Sequence, residues 1–275
     1  MTDEILLCLD GSAMAERIMP IAQAIASARA ATLTVFRVFG HTGEVAGEEN
    51  YLREVAQRCG AQIRFSVSED PAQAIIEELD KSPGATAAIT THGRTAWGEA
   101  ILGSVAFRVL RGAKRPILLY CPLGGPAVAP KKITTVAVAL DGSEFAEEII
   151  PFAAEMAKSF LAGLTLLQVL PLKSAVPPLP EGKKSDLLES SYLHRQASAI
   201  KKAFGLDAQW DVLHGEAADA ICSYVARMPD TMLAMTTHGR GTLQRAVLGS
   251  VAGECIRRAA CPLLVYWPRR STAQG

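Results

Sequence analysis

ILLCLDGSAMAERIMPIAQAIA, residues 5–26, returns as VAVALDGSEFAEEIIPFAAEMA, residues 136–157. Asp10 matches Asp141, Pro20 matches Pro151, and the run Leu-Asp-Gly-Ser is identical. The apolar residues 5–9 end at Asp-Gly, the pattern of a buried strand entering a turn. Ile18, Ile21, Ala22 and Ile25 then recur at helical spacing, and Ile149, Phe152, Ala153 and Met156 repeat them at the same offset. A strand–turn–helix unit written twice marks a duplicated fold.

A second block extends the repeat. THGRTAWGEAILGSVAFRVLRGAKRPILLYCP begins at Thr91 and returns as THGRGTLQRAVLGSVAGECIRRAACPLLVYWP from Thr237. The offset between copies grows from Asp10/Asp141 to Thr91/Thr237, so the second copy holds extra residues. PLKSAVPPLPEGKKS, 171–185, is the simplest place for them; its prolines, glycine and paired lysines read as a surface loop. The copies meet at PLGGPAVAPKK, 122–132, a Pro/Gly-rich linker. The domains are therefore placed at 1–122 and 132–268.

Within the first copy, ATLTVFRVF (31–39) reads as a strand, 48–59 as helical, IRFSV (63–67) as a strand and 71–79 as a helix. TAAITT (86–91) is a strand running into a glycine loop, a helix opens near Gly103-Ser104, and ILLYC (117–121) closes the copy. Strands alternating with helices predict an α/β fold: two tandem doubly wound parallel sheets with right-handed crossovers.

Composition narrows the function classes. The 275 residues carry 28 Lys+Arg against 28 Asp+Glu. A general nucleic-acid binder needs an excess of cations to displace counterions from phosphates, so nucleic acid is not expected as a partner. No apolar run approaches the length that crosses a bilayer, and acids stand where a signal peptide carries Lys or Arg, so a cytoplasmic protein with no membrane partner is expected. Six cysteines, at 8, 59, 121, 222, 255 and 261, form no Cys-x-x-Cys pair, which argues against a metal cluster or dithiol motif. They read as small buried hydrophobes.

In an open parallel sheet, ligands bind beyond the carboxyl ends of the strands at the switch in strand order. Three unusual stretches fall at such ends in each copy. Asp10-Gly11-Ser12 and Asp141-Gly142-Ser143 follow the first strand. Asp there can accept hydrogen bonds from ribose or base; the competing reading is that Asp or Ser caps the next helix. Thr90-Thr91-His92-Gly93-Arg94 and Thr236-Thr237-His238-Gly239-Arg240 follow a buried strand. Gly103-Ser104-Val105 and Gly249-Ser250-Val251 open a helix, whose N–H groups and positive dipole end suit a phosphate, although Gly-Ser also serves as an ordinary cap. The interval from Gly93 to Gly103 equals that from Gly239 to Gly249. Gly98 and Gly103-Ser104 have the glycine spacing of a P-loop but no lysine before the serine, and no Gly-x-Gly-x-x-Gly follows the first strand. His92 and His238 lack an evident nucleophile with a matched acid and read as local hydrogen-bonding groups. Arg94 and Arg240 are candidates for a phosphate contact. Lys114-Arg115 and Arg257-Arg258 are placed late in a helix, where its dipole accounts for them.

The THGR and LGSVA blocks, present twice, resemble the universal stress protein family. Nucleotide-binding members carry Gly-x-x-Gly, nine residues, then Gly-Ser or Gly-Thr. The resemblance implies a five-stranded parallel sheet of the adenine nucleotide alpha hydrolase-like kind in each copy, with glycine loops cradling phosphates and ribose. It implies a nucleotide site at Asp10, Val38, Thr90, Gly93, Arg94, Gly103, Ser104 and Val105, and again at Asp141, Val169, Thr236, Gly239, Arg240, Gly249, Ser250 and Val251. Thr90 and Thr236 stand where the family has the first glycine, and Ala96 departs as well. The ligand implied is ATP or AMP, with Mg²⁺ held through the phosphates; no catalytic residue is implied and ATP hydrolysis is at most slow. Two functions compete: nucleotide-dependent signalling or assembly in a stress response, with an unknown protein partner, and an interaction module without nucleotide binding. Single-domain relatives commonly dimerise through the last strand. ILLYC and LLVYW (263–267) are the matching edge strands and are therefore expected to pack near each other about a pseudo-twofold axis, with a further homodimer open.

Overall fold

The computed structural model describes residues 3–91, 102–121, 132–171, 182–228, 230–239 and 247–268, with side chains left undescribed at 182–190. The first half runs β1 (Glu4–Cys8), α1 (Ala13–Glu16), α2 (Met19–Ala28), β2 (Thr32–Phe39), α3 (Thr42–Cys59), β3 (Gln62–Val67), α4 (Pro71–Lys81), β4 (Ala85–Thr90), α5 (Ser104–Gly112) and β5 (Ile117–Tyr120). The second repeats it: β6 (Thr135–Leu140), α6 (Glu144–Glu147), α7 (Ile150–Phe160), β7 (Gly163–Leu170), α8 (Gly182–Phe204), β8 (Ala208–His214), α9 (Ala217–Ala226), β9 (Thr231–Thr236), α10 (Ser250–Arg258) and β10 (Leu263–Tyr266).

The two parallel sheets are one. Strand order is β3-β2-β1-β4-β5-β10-β9-β6-β7-β8, a single ten-stranded sheet in which each half contributes five parallel strands. The expectation of two five-stranded sheets thus holds for the halves and is replaced, for the whole chain, by a continuous sheet. Its seam is antiparallel: Leu263 faces Leu119, Leu264 faces Leu118 and Val265 faces Ile117. All six residues are buried, at 2% exposure or less. Had β5 and β10 remained edges, these apolar rows would be templates for aggregation. The strands at the actual edges, β3 and β8, are largely exposed or half-buried.

Period-two burial explains the layers. Leu7, Val35, Val138 and Leu166 point to one face, into a core with Ile21 and Ile25 of α2, Val55 of α3, Ala153 of α7 and Ile200 of α8. Leu6, Phe36, Ala137 and Leu167 point to the other, against Ile75 of α4, Val109 of α5, Ile221 of α9 and Ile256 of α10. The inner strand β1 is buried on both faces, which is why residues 5–9 read as an unbroken apolar run.

Three local readings change. α8 begins at Gly182, inside the stretch 171–185 expected to be loop; Pro180 is its last proline, so backbone donors are available from there on. Lys114 and Arg115 lie beyond the end of α5 at Gly112 rather than within a helix. Arg115 Nη1 instead donates to the carbonyls of Ser82 (2.8 Å) and Pro83 (3.0 Å) just past α4. Arg257 and Arg258 do occupy the last turn of α10. The linker 122–131 lies outside the described residues.

Ala30 and Leu161, matched positions after α2 and α7, both take positive φ, of 50° and 53°. Leu161 is 95% exposed, so its side chain gains nothing from a conformation that crowds its Cβ. Leu161→Gly is expected to raise stability by about 0.5–1 kcal/mol in urea denaturation. An unchanged or lower midpoint would show that the left-handed cap is not strained.

Candidate functional site

Strand order reverses between β1 and β4 in the first half and between β6 and β9 in the second. Parallel neighbours whose connections leave in opposite directions open a crevice at their carboxyl ends. In the second half this crevice is a cavity of about 700 Å³ lined by Asp141, Val169, Thr236, Gly239, Gly249, Ser250 and Val251. In the first half Asp10, Val38, Thr90, Gly103, Ser104 and Val105 line a cavity of about 280 Å³. Gly93, Arg94 and Arg240 lie outside the described residues, as does His92.

Local chemistry sets each group in place. Gly11 and Gly142 turn the chain after the first strand with φ of +82° and +80°, a region costly for other residues. Ser12 Oγ accepts from Ala15 N and Ser143 Oγ from Ala146 N, so the serines are the helix caps. Asp10 Oδ1 accepts from Ser12 N at 2.9 Å. Asp141 Oδ1 accepts from both Ser143 N (2.9 Å) and Ser143 Oγ (2.6 Å). One oxygen of each aspartate therefore fixes the turn. The other oxygen of Asp141 lies so close to Gly239 that a Cβ there would overlap it. Glycine at 239 is thus demanded by close approach to a carboxylate.

The segment after β9 is tied down by its own polar groups. Thr236 Oγ1 donates to the His238 carbonyl at 2.8 Å. His238 Nε2 donates to the Val247 carbonyl at 2.9 Å, which leaves Nδ1 to accept from Thr237 Oγ1 at 2.7 Å. The ring also packs edge-on against Trp267, with centroids 4.7 Å apart. His238 acts as a clamp between the glycine loop and the start of α10. Thr236, in the place of a glycine, puts its hydroxyl to the same local use.

Gly249 caps α10 without a side chain, and Gly253 N is the first amide to bond back, to Gly249 O at 2.8 Å. The amides of Ser250, Val251 and Ala252 therefore have no acceptor within the helix, and the positive end of its dipole faces the cavity. Gly103 plays the same part for α5, with its amide on Thr91 O at 2.7 Å. Asp141 supplies an acceptor at one part of the rim and α10 supplies donors at another. Such a cavity can seat a molecule with hydroxyls or ring nitrogens at one end and an anion at the other.

Sequence reading missed the walls. Ala217 and Ile221 of α9 line the larger cavity, and their matched partners Pro71 and Ile75 of α4 line the smaller. The signal was present as an isoleucine recurring at the later offset, in PAQAII and AADAIC. The cavity sizes were missed too. Phe36, Cys8 and Pro71 line the first cavity where the second copy has Leu167, Ala139 and Ala217. Each replacement is bulkier in the first copy. Among the described residues no group of three or more His, Cys, Asp or Glu is arranged to hold a metal, and no helix is long and apolar enough to cross a membrane.

With fold and site in view, comparison with known proteins is decisive. The family model described as the universal stress protein family matches residues 1–120 and again 132–266. The chain belongs to the universal stress protein family. A universal stress protein of Synechocystis sp. is 28% identical over 179 residues, which span 64% of this chain and 55% of that protein. The match thus covers only about half the length of that relative. A universal stress protein of Methanocaldococcus jannaschii is 29% identical over 136 residues, 47% of this chain and 79% of that one. The crystal structure of a universal stress protein from Archaeoglobus fulgidus superposes with a TM-score of 0.72 at 21% identity, over 97% of this chain and 99% of that one. The shared fold therefore includes the tandem of two universal stress domains.

Gly239→Ala is expected to cost about 1–3 kcal/mol in urea denaturation by pushing the Asp141 carboxylate from its turn. In an Asp141→Ala background the same change should cost far less. Equal losses in both backgrounds would place the clash elsewhere.

Proposed function

We propose that this universal stress protein is a cytoplasmic adenine-nucleotide binder, holding ATP or AMP in the cavity of its second domain. The domains are taken to run 1–122 and 132–268. The observation that carries the reading is the second cavity: it has the size of a small-molecule site and brings the start of α10, Gly239 and Asp141 to one rim. In this reading the amides of Ser250 and Val251 receive phosphate, Gly239 lets the chain approach it, and Arg240 is a further phosphate partner. Asp141 and the backbone at Val169 receive the nucleoside, with Thr236 at the base of the loop. Mg²⁺ would accompany ATP through the phosphates alone. The nucleotide acts here as a signal or an assembly cue, and any hydrolysis is slow.

The first cavity carries the same positions, Asp10, Val38, Thr90, Gly93, Arg94, Gly103, Ser104 and Val105, in less space. It is assigned weaker binding. An interaction module without nucleotide is the second reading, favoured by one observation. Edge strand β3 exposes Ile63, Phe65 and Val67 on a single face, at 42%, 48% and 41%. Such a row suits a protein partner or a second copy of the chain.

Protein purified natively, then denatured, should release about one adenine nucleotide per chain, identified by chromatography and mass spectrometry. Asp141→Ala should weaken ATP binding about tenfold, roughly 1.4 kcal/mol, and Asp10→Ala should leave it nearly unchanged. Empty protein with no thermal shift in millimolar ATP would sink the nucleotide reading and leave the interaction module.

A further inference from the structure

Behind the larger cavity, on the side of α9 and α10 away from their amino ends, lies a pair of thiols. Cys222 is on α9 and Cys255 on α10, and Cys261 follows in the connection to β10; all three are buried and unbridged. The Cys222 and Cys255 side chains interact with each other across the two helices. The ion pair of Arg258 Nη1 with Asp219 Oδ1, 2.6 Å, crosses between the same helices. Asp219 stands three residues before Cys222 and Arg258 three after Cys255, so ion pair and thiols share the facing stripes of the two helices.

The first copy acts as an internal control. Its matched positions are Ile76 on α4 and Val109 on α5, and Gly112 stands where the second copy has Arg258. Ile76 Cδ1 fills the space that a Cβ on Gly112 would need. In the first copy an isoleucine lies over a glycine where the second copy has a thiol beside an arginine, so the paired sulfurs are a feature of the second copy alone. The two sulfurs are also unequal. The interaction with Cys255 draws the Cys222 thiol below its ordinary value, against burial and with help from Arg258. The neighbouring Cys222 and burial push Cys255 up. Burial likewise pushes Cys261 up to about 12. Cys222 keeps 9% exposure and Cys255 none, so a small oxidant meets Cys222 first.

We propose that Cys222 and Cys255 are a modification site, a dithiol that a hydroperoxide converts to a disulfide joining α9 to α10. The Cys222 thiolate attacks one oxygen of the hydroperoxide, the O–O bond breaks, and the departing oxygen leaves as an alcohol or water after taking a proton. Cys222 is then a sulfenic acid. The Cys255 sulfur displaces that oxygen as water, and its own thiol proton leaves with it. Two electrons pass from the two thiols to the peroxide, which is the sole oxidant. The link fixes the spacing of the helices that carry Ile221 and Ala252, both lining the cavity. That consequence rests on the cavity being a binding site, whereas the thiol chemistry does not.

The test treats the native full-length chain with hydrogen peroxide, then alkylates under denaturing conditions and maps the peptides by mass spectrometry. The expected result is a Cys222–Cys255 cross-linked peptide, reversed by dithiothreitol, with Cys8, Cys59, Cys121 and Cys261 alkylated as before. Cys255→Ser should leave a Cys222 sulfenic acid that dimedone traps. The double variant Cys222→Ala with Cys255→Ala, which removes both sulfurs and adds no bulk beside Arg258, should lose the link. The proposal is overturned if Cys222 and Cys255 in the parent stay as alkylatable as Cys8 and Cys59, or if the link joins other cysteines. Neither outcome depends on whether nucleotide is bound.

Discussion

Everything in the molecule hangs on three antiparallel residue pairs between β5 and β10. Each half ends its sheet with a short strand of aliphatic side chains, buried on both faces and unable to meet water as an edge. Pairing the two strands satisfies both ladders at once and converts two half-covered units into one sheet. Because the pairing is antiparallel while all other strands within a half are parallel, the two halves point their carboxyl ends in opposite directions. The two cavities therefore open at opposite ends of a common sheet, and a ligand in one has no contact with the other.

The cavities share a design and differ in fill. An aspartate locked into its turn by the following serine and a glycine-capped helix recur in both. Around them the first copy places a phenylalanine, a proline ring and a thiol where the second has leucine and two alanines. Such substitutions leave the backbone alone, since they lie on strands and helices whose opposite faces still pack. They change only the volume left over, and with it the size of what can enter.

Much of this was legible in the residues. The double recurrence of Leu-Asp-Gly-Ser and of the THGR and LGSVA blocks made the tandem, the strand–helix alternation and the stretches that line the cavities legible. Strands buried on both faces announced themselves as continuous apolar runs. What escaped was set by tertiary geometry. Nothing local distinguishes a pair of packed edges from a hydrogen-bonded seam, so the union of two sheets into one was visible only as apolar terminal strands. The close approach of Gly239 to the Asp141 carboxylate joins segments almost a hundred positions apart. Arg115 looked like the dipole partner of its own helix and serves the carbonyls that follow another, again because the partner is remote in sequence. The start of α8 was hidden by prolines that end just before it.

The seam has one more consequence. In a pair of separate subunits, such an interface forms only when the protein is concentrated enough, and both sides must be copies of one sequence. Here the partner strand is tethered to the same polypeptide, so its local concentration does not fall on dilution. The obligation to be identical also vanishes: a substitution made beside one cavity is not duplicated beside the other. Covalent duplication has thus turned an association equilibrium into a folding step, and it leaves each half free to acquire a chemistry of its own.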